Sequence, residues 1–135
     1  MAGYSGTPLV TKLGIKDGHR VVVLGAPAGF ALDLPDGAAI RKRLVGPADV
    51  VLFFATLRAS LQERIEGLGR AVQPAGAVWV AWPKKAAKVA TNMTEDVVRD
   101  VALPLGLVDT KVCAIDDTWS GLKLVWRKSA RQPSR

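Results

Sequence analysis

A few short stretches of this 135-residue chain carry residue types and spacings that could do chemistry. In LGAPAGF, Gly25 and Gly29 follow an apolar run. Glycines in such a place let backbone amides approach a dinucleotide or S-adenosylmethionine closely. The G-x-G spacing is missing, Pro27 removes an amide donor, and neither Asp33 nor Asp36 can be assigned to the strand end where a ribose ligand sits. A tight turn is the competing reading. Lys84 and Lys85 follow another apolar run and precede a helix start at Asn92 to Thr94. Two ammonium groups beside free backbone amides suit a phosphate or carboxylate. They can equally be solvated loop lysines, and Glu95 and Asp96 oppose an anion there. Asp116, Asp117, Thr118, Trp119 and Ser120 form a cluster able to hold a polar ligand or to pair with the lysines. The alternative is a hairpin turn with Trp119 packed back on the fold. Thr56 completes the set, one residue beyond an apolar run.

Other chemistries find less support. A serine nucleophile needs a base, and the single histidine, His19, precedes the first apolar run, at the edge opposite Ser120. A Ser-His-acid triad is therefore not expected. The single cysteine, Cys113, allows no internal disulfide and no cysteine metal cluster, and reads as a small core residue. Met93 and the remaining tryptophans read as packing residues. No catalytic residue, metal ligand or cofactor is assigned. Tyr4 and Ser5 are expected to fold over the sheet edge as a lid.

Strand ends have to position these residues, and the organising unit lies between Asp49 and Lys85. Residues 50–55 form an unbroken apolar run, as in a strand buried on both faces. Leu57, Leu61, Ile65, Leu68 and Val72 then share one helical face. Ser60 with Glu63 fits a capping box, and Pro74-Ala75-Gly76 stops the helix. Residues 77–82 form a second apolar strand, so the unit is βαβ and its strands are parallel. Upstream, Thr7-Pro8 starts a short helix, residues 20–25 form the first buried strand, 30–34 a helical turn, and 38–44 a short strand beside the first. Downstream, Thr94 or Asn92 caps a helix with Val97, Val98, Val101 and Ala102 as its apolar stripe. Residues 107–116 and 122–127 follow as an antiparallel hairpin turning around 117–121.

The order strand, helix, strand, helix, strand, strand resembles the C-terminal half of the class I methyltransferase (Rossmann-like) fold, in which the last strand inserts antiparallel between its two predecessors. QPAGAVWVAW is similar to that family's turn into its fifth strand. The full fold places two strands and two helices between the glycine loop and the fourth strand, whereas only residues 26–48 are available here. The chain also resembles a family of small bacterial proteins known only as a domain of unknown function. The stretches that carry this are GYSGTPLVTKLGIK, WPKK and TEDVVRDVALPLGLVDTKVCAIDDTWSGLKLV. The expectation is a three-layer, Rossmann-like α/β sandwich over residues 1–127. Its sheet is mostly parallel, ends in an antiparallel hairpin and is truncated relative to class I methyltransferases.

The net charge of +7 invites a nucleic-acid reading, but Arg127, Lys128, Arg131 and Arg135 carry over half of it in the last nine residues, of which 128–135 reads as a basic disordered tail. The apolar runs are too short to cross a bilayer, and the N-terminus lacks a secretory pattern, so a cytoplasmic bacterial protein is expected. Ligands of parallel sheets bind beyond the carboxyl ends of the strands, where the strand order reverses. The leading expectation is a non-catalytic or regulatory domain binding a small anionic ligand or a protein partner at that edge. The alternative is an S-adenosylmethionine- or nucleotide-binding transferase with a degenerate glycine loop. A third is a nucleic-acid-associated protein using Arg41-Lys42-Arg43 and the tail.

Overall fold

The structure, a computed structural model, describes residues 8–132. Apolar runs become strands buried on both faces: β1 (Arg20–Leu24, buried after its exposed first residue), β3 (Val50–Phe54) and β4 (Ala77–Pro83). With β2 (Ala39–Arg41), β5 (Leu107–Ala114) and β6 (Trp119–Trp126) they form a six-stranded sheet in the order β2-β1-β3-β4-β6-β5. The first four strands are parallel, and β6 lies antiparallel between β4 and β5, as the resemblance implied.

Two layers cover this sheet unequally. On one face, α2 (Arg58–Ala71) and α3 (Glu95–Ala102) bury Leu61, Ile65, Leu68, Val72 and Val98 against Val51, Val78, Val80 and Leu124. Helix α2 comes close enough for Trp126 Nε1 to donate to the Gly69 carbonyl at 2.7 Å. A Cβ at Gly69 would stand 2.8 Å from that indole, so the approach requires glycine. The other face carries only α1 (Leu9–Lys12) and an irregular descent after β1. Leu13, just past α1, accepts a 3.0 Å hydrogen bond at its carbonyl from the fully buried Trp79 Nε1, which satisfies the one polar atom of that side chain.

Several expectations change. Residues 30–34 are not a helical turn: Phe30, Leu32 and Leu34 alternate inward with exposed Ala31 and Asp33, a period of two that lays an extended segment down the sheet. Strand β6 begins at Trp119, so the hairpin turns around 115–118 rather than 117–121. Leu57 is 53% exposed and stands outside the helical stripe. Thr94 caps α3 as expected, its hydroxyl accepting from Val97 N at 3.1 Å. Of the segment expected as a tail, Lys128–Ala130 forms a 3-10 turn, and Gln73 binds both the Ala130 carbonyl and the Gln132 amide. Thr7, Tyr4 and Ser5 lie outside the described residues.

At the amino edge, β1 and β3 are joined by an ion pair. Asp49 accepts from Arg20 N at 2.7 Å, Nε at 3.1 Å and Nη2 at 3.2 Å. Hydrogen bonding to the guanidinium holds the Asp49 carboxyl below its ordinary range, with partial burial opposing it. A carboxyl depressed on folding adds stability above its unfolded pKa and loses it as the pH falls through the folded value. Asp49→Asn is expected to cost roughly 1 kcal/mol at pH 7, since both partners are partly exposed. Denaturant unfolding at neutral pH and at about pH 2 should show the wild-type and variant stabilities converging in acid. A gap that stays constant across that range would contradict this assignment.

Candidate functional site

The strand order reverses between β1 and β3, and the chain segments leaving the strands converge at their carboxyl ends. Leaving β1, the chain turns sharply at Gly25, whose φ of 70° is in the left-handed region. A Cβ on Gly25 would stand 2.8 Å from the Phe54 carbonyl oxygen, so glycine is what lets the β1 exit lie against the β3 exit. Gly29, at φ 83°, ends the turn with open space around it, and Phe30 N donates to the Pro27 carbonyl at 3.1 Å. The loop then folds down. Phe30 meets Phe54 edge to face at 5.0 Å between ring centres, and Phe54 meets Trp119 in the same way at 5.0 Å. These three rings form a floor under the edge, linking the β1, β3 and β6 ends.

The lysines are placed differently from what the anion reading needs. Lys84 N donates to the Thr118 carbonyl at 2.7 Å, which ties the β4 exit to the hairpin turn. Lys85 opens a 3-10 turn, Lys85–Ala87, that ends on Lys88 at φ 57°. One of the amides expected beside them is occupied, since Thr94 takes the Val97 amide, and the first α3 turn carries the carboxylates of Glu95 and Asp96, both bonded to Arg99. Arg99 also bonds Asp109 at 3.0 Å, so α3 is locked to β5 and the guanidinium is held more firmly protonated than usual, chiefly by Asp109 and then Glu95.

Asp116 is likewise committed to its own turn, where one carboxylate oxygen accepts from both Thr118 N and Trp119 N at 2.8 Å. Asp117 is exposed beside it, and Ser120 pairs within the sheet between Trp82 and Ala114. Trp119 packs on Phe54 rather than facing a ligand. The Thr56 carbonyl accepts from the Thr91 hydroxyl at 2.6 Å and from Asn92 N at 3.2 Å. The edge therefore brings together Gly25, Gly29 and Thr56 with the Lys84 backbone and the Asp116 turn. His19 stands before β1 at the amino edge and meets none of them, its Nδ1 accepting from Lys16 N at 3.0 Å.

Asn92 is the residue that sequence reasoning assigned elsewhere. Its side-chain oxygen accepts from Arg58 N at 2.7 Å and so caps α2, while Ser60 and Glu63 lie inside that helix and make no capping box. A cap supplied from across the fold leaves no local spacing to read. Asn92→Ala should lower stability by about 1 kcal/mol, whereas Ser60→Ala should change it by less than about 0.5 kcal/mol. Thermal unfolding of the two variants distinguishes the assignments, and the reverse order would restore Ser60 as the cap.

With the geometry established, comparison with known proteins is informative. No family model matches the chain, and no curated protein does. Solved structures do match. An S-adenosylmethionine-dependent methyltransferase from Aquifex aeolicus superposes with a TM-score of 0.61 at 13% identity, covering 86% of each chain. The fibrillarin pre-rRNA processing protein of Methanococcus jannaschii gives 0.59 at 12% identity over 92% of this chain and 70% of its own. Magnesium protoporphyrin IX methyltransferase from Synechocystis PCC 6803, solved with bound S-adenosylmethionine, gives 0.53 at 13% over 88% and 74%. The fold is that of the Rossmann-like methyltransferases. The resemblance to an uncharacterised bacterial family gains nothing from these comparisons.

They also correct the leading functional expectation. A non-catalytic or regulatory domain for a small anionic ligand or a protein partner finds no counterpart among these methyltransferase structures, and the α3 start offered to its anion has the Val97 amide bonded to Thr94. No helix among the described residues is long and apolar enough to cross a membrane, and no group of three or more potential ligand side chains among them could hold a metal ion.

Proposed function

We propose that this chain is a transferase that binds S-adenosylmethionine or a nucleotide at the carboxyl edge, beside the turn formed by residues 25–29. The observation that carries the reading is Gly25 packed against the Phe54 carbonyl, which opens the β1 turn directly onto the β3 exit at the point of strand reversal. Similar structures support it, because one is an S-adenosylmethionine-dependent methyltransferase and another a methyltransferase with S-adenosylmethionine bound. A cytoplasmic bacterial setting belongs to the same proposal and rests on the sequence reading alone.

The residues present fit that cofactor at one end only. Ala28 and Gly29 offer exposed backbone in a turn whose glycines allow close approach. At the end of β2, however, Arg41, Lys42 and Arg43 stand where a ribose-binding carboxylate would be needed, and Arg41 is bonded to the Val45 and Pro47 carbonyls. Asp36 lies at the opposite edge, its carbonyl accepting from Gly18 N at 2.9 Å. No helix follows Gly29 to aim its N-terminal amides at the ligand. Ribose recognition is thus not supplied here, and no chemical step is assigned through the cofactor. What the chain's own residues do is orient: the 25–29 turn, the Thr56 backbone and the Asn92 cap fix the walls of the edge.

Calorimetric and thermal-shift titrations test the reading with S-adenosylmethionine, S-adenosylhomocysteine and adenine nucleotides. A ligand at a hundredfold excess over its Kd should add about 2.7 kcal/mol of stability. Gly29→Leu places a side chain in the turn at a strain of roughly 1–2 kcal/mol, so it should fold and lose at least tenfold in affinity. No stabilisation by any of these ligands at millimolar concentration, or equal affinity in the variant, would remove the proposal.

A further inference from the structure

Among the described residues the second sheet face is covered over β1, β3 and β4 by α1 and the descent from Phe30, but β5 and β6 join directly by a turn and bring no helix across that face. There the register sets Lys111 opposite Lys123 and Cys113 opposite Gly121, with Lys123 beside Trp79. Residues directly opposite in antiparallel strands point to the same side, so both lysines share this face with Trp79. Lys123 Nζ lies 3.9 Å from where a Gly14 Cβ would be, and Lys12 is the last residue of α1. Burial pushes the Cys113 thiol pKa up, and the positive charges of Lys12 and Lys111 nearby offset part of that rise.

Among the described residues none of these three lysines makes an ion pair, while Asp49, Glu95, Asp96, Asp100 and Asp109 are all engaged with arginines. Residues 1–7 contain no carboxylate that could neutralise them. The other basic clusters are less available and lie apart. Arg41 is bonded to carbonyls beside β2 at one sheet edge, whereas Arg127 and Arg131 are bonded to the Leu103 and Trp126 carbonyls next to β5 at the other. Arg41-Lys42-Arg43 and the described C-terminal arginines, Arg127 and Arg131, therefore lie at opposite sheet edges.

We propose that the open face of β5 and β6, with Lys12, Lys111 and Lys123, binds the phosphodiester backbone of a single-stranded nucleic acid. Charge complementarity carries this: three uncompensated cations stand on neighbouring elements, with opposed strand positions about 5 Å apart, a footprint for consecutive phosphates of one strand. Among the described residues the face offers no exposed aromatic ring for base stacking, so recognition is of the backbone and independent of sequence. It is separate from the carboxyl edge and does not rest on the transferase reading.

Fluorescence anisotropy of the full chain with a labelled RNA of about twelve nucleotides tests it across a salt series. Three contacts to a single strand imply a log–log salt slope of about −2, or a roughly fifteenfold weakening between 50 and 200 mM salt. Lys12→Gln, Lys111→Gln and Lys123→Gln together should weaken binding at least tenfold and flatten the slope. A charge-matched variant, Lys42→Gln, Arg43→Gln and Arg70→Gln, should bind within twofold of wild type. Because Lys123 packs near Trp79, the Lys12→Gln, Lys111→Gln pair provides a second variant, expected to show an intermediate loss. No binding by wild type at 50 mM salt, equal losses in both triple variants, or equal competition by polyglutamate would overturn the proposal.

Discussion

Much in this molecule depends on the pairing of two short strands, β1 and β3. Val21, Val22, Val23 and Leu24 lie in register with Val50, Val51, Leu52 and Phe53, and every one of these side chains is buried. Both faces of both strands are covered, so a slip by one residue would exchange the contents of two different cores. Each end of the pair is fixed by something other than apolar packing. At the amino end Arg20 grips Asp49, and at the carboxyl end Gly25 meets the Phe54 carbonyl with no room for a side chain. The strand order reverses at this parallel pair, with β2 laid to one side and β4 to the other. That reversal is what opens a crevice above it.

The economy of the second layer has consequences for chemistry. A complete βα unit after β1 would place a helix on this face and a full-length strand beside it. Here Phe30, Leu32 and Leu34 do the covering in extended form, and β2 is three residues long. The core closes because three alternating apolar side chains with α1 bury the inner side chains of β1 and β3. The missing helix removes an N-terminus that could face a cofactor, and the shortened β2 ends on Arg41 instead of an acid. Packing and ligand recognition are thus separable in this fold. The sheet order shared with the methyltransferase structures is kept here with no acidic residue at the end of β2.

Much of the architecture was legible in the sequence because the apolar runs were unambiguous. Residues 50–55 and 77–82 could only be buried strands, and Leu61, Ile65, Leu68 and Val72 fixed the inner face of α2. The antiparallel pairing of β5 and β6 followed from the short connection between them, and the insertion of β6 beside β4 was implied by the resemblance. Less legible were features decided by tertiary contact. The α2 cap comes from Asn92, 34 positions away in sequence, so a local Ser60–Glu63 spacing was a plausible decoy. The same applies to the site. Gly25, Gly29 and Thr56 do converge, but nothing in the sequence showed that Asp116 would be consumed by its own turn, or that Glu95 and Asp96 would be claimed by Arg99. Side chains that seemed available for a ligand were already satisfied by the fold.

The central claim is that the crevice between the β1 and β3 exits receives the cofactor. Amide chemical-shift mapping of the isotope-labelled chain, titrated with S-adenosylmethionine and separately with an adenine nucleotide, tests it residue by residue. The account predicts that one of these ligands moves the amides of Gly25, Ala28, Gly29, Ala55 and Thr56 together, with a single saturating affinity. Shifts confined to other parts of the molecule, or none at millimolar ligand, would contradict it.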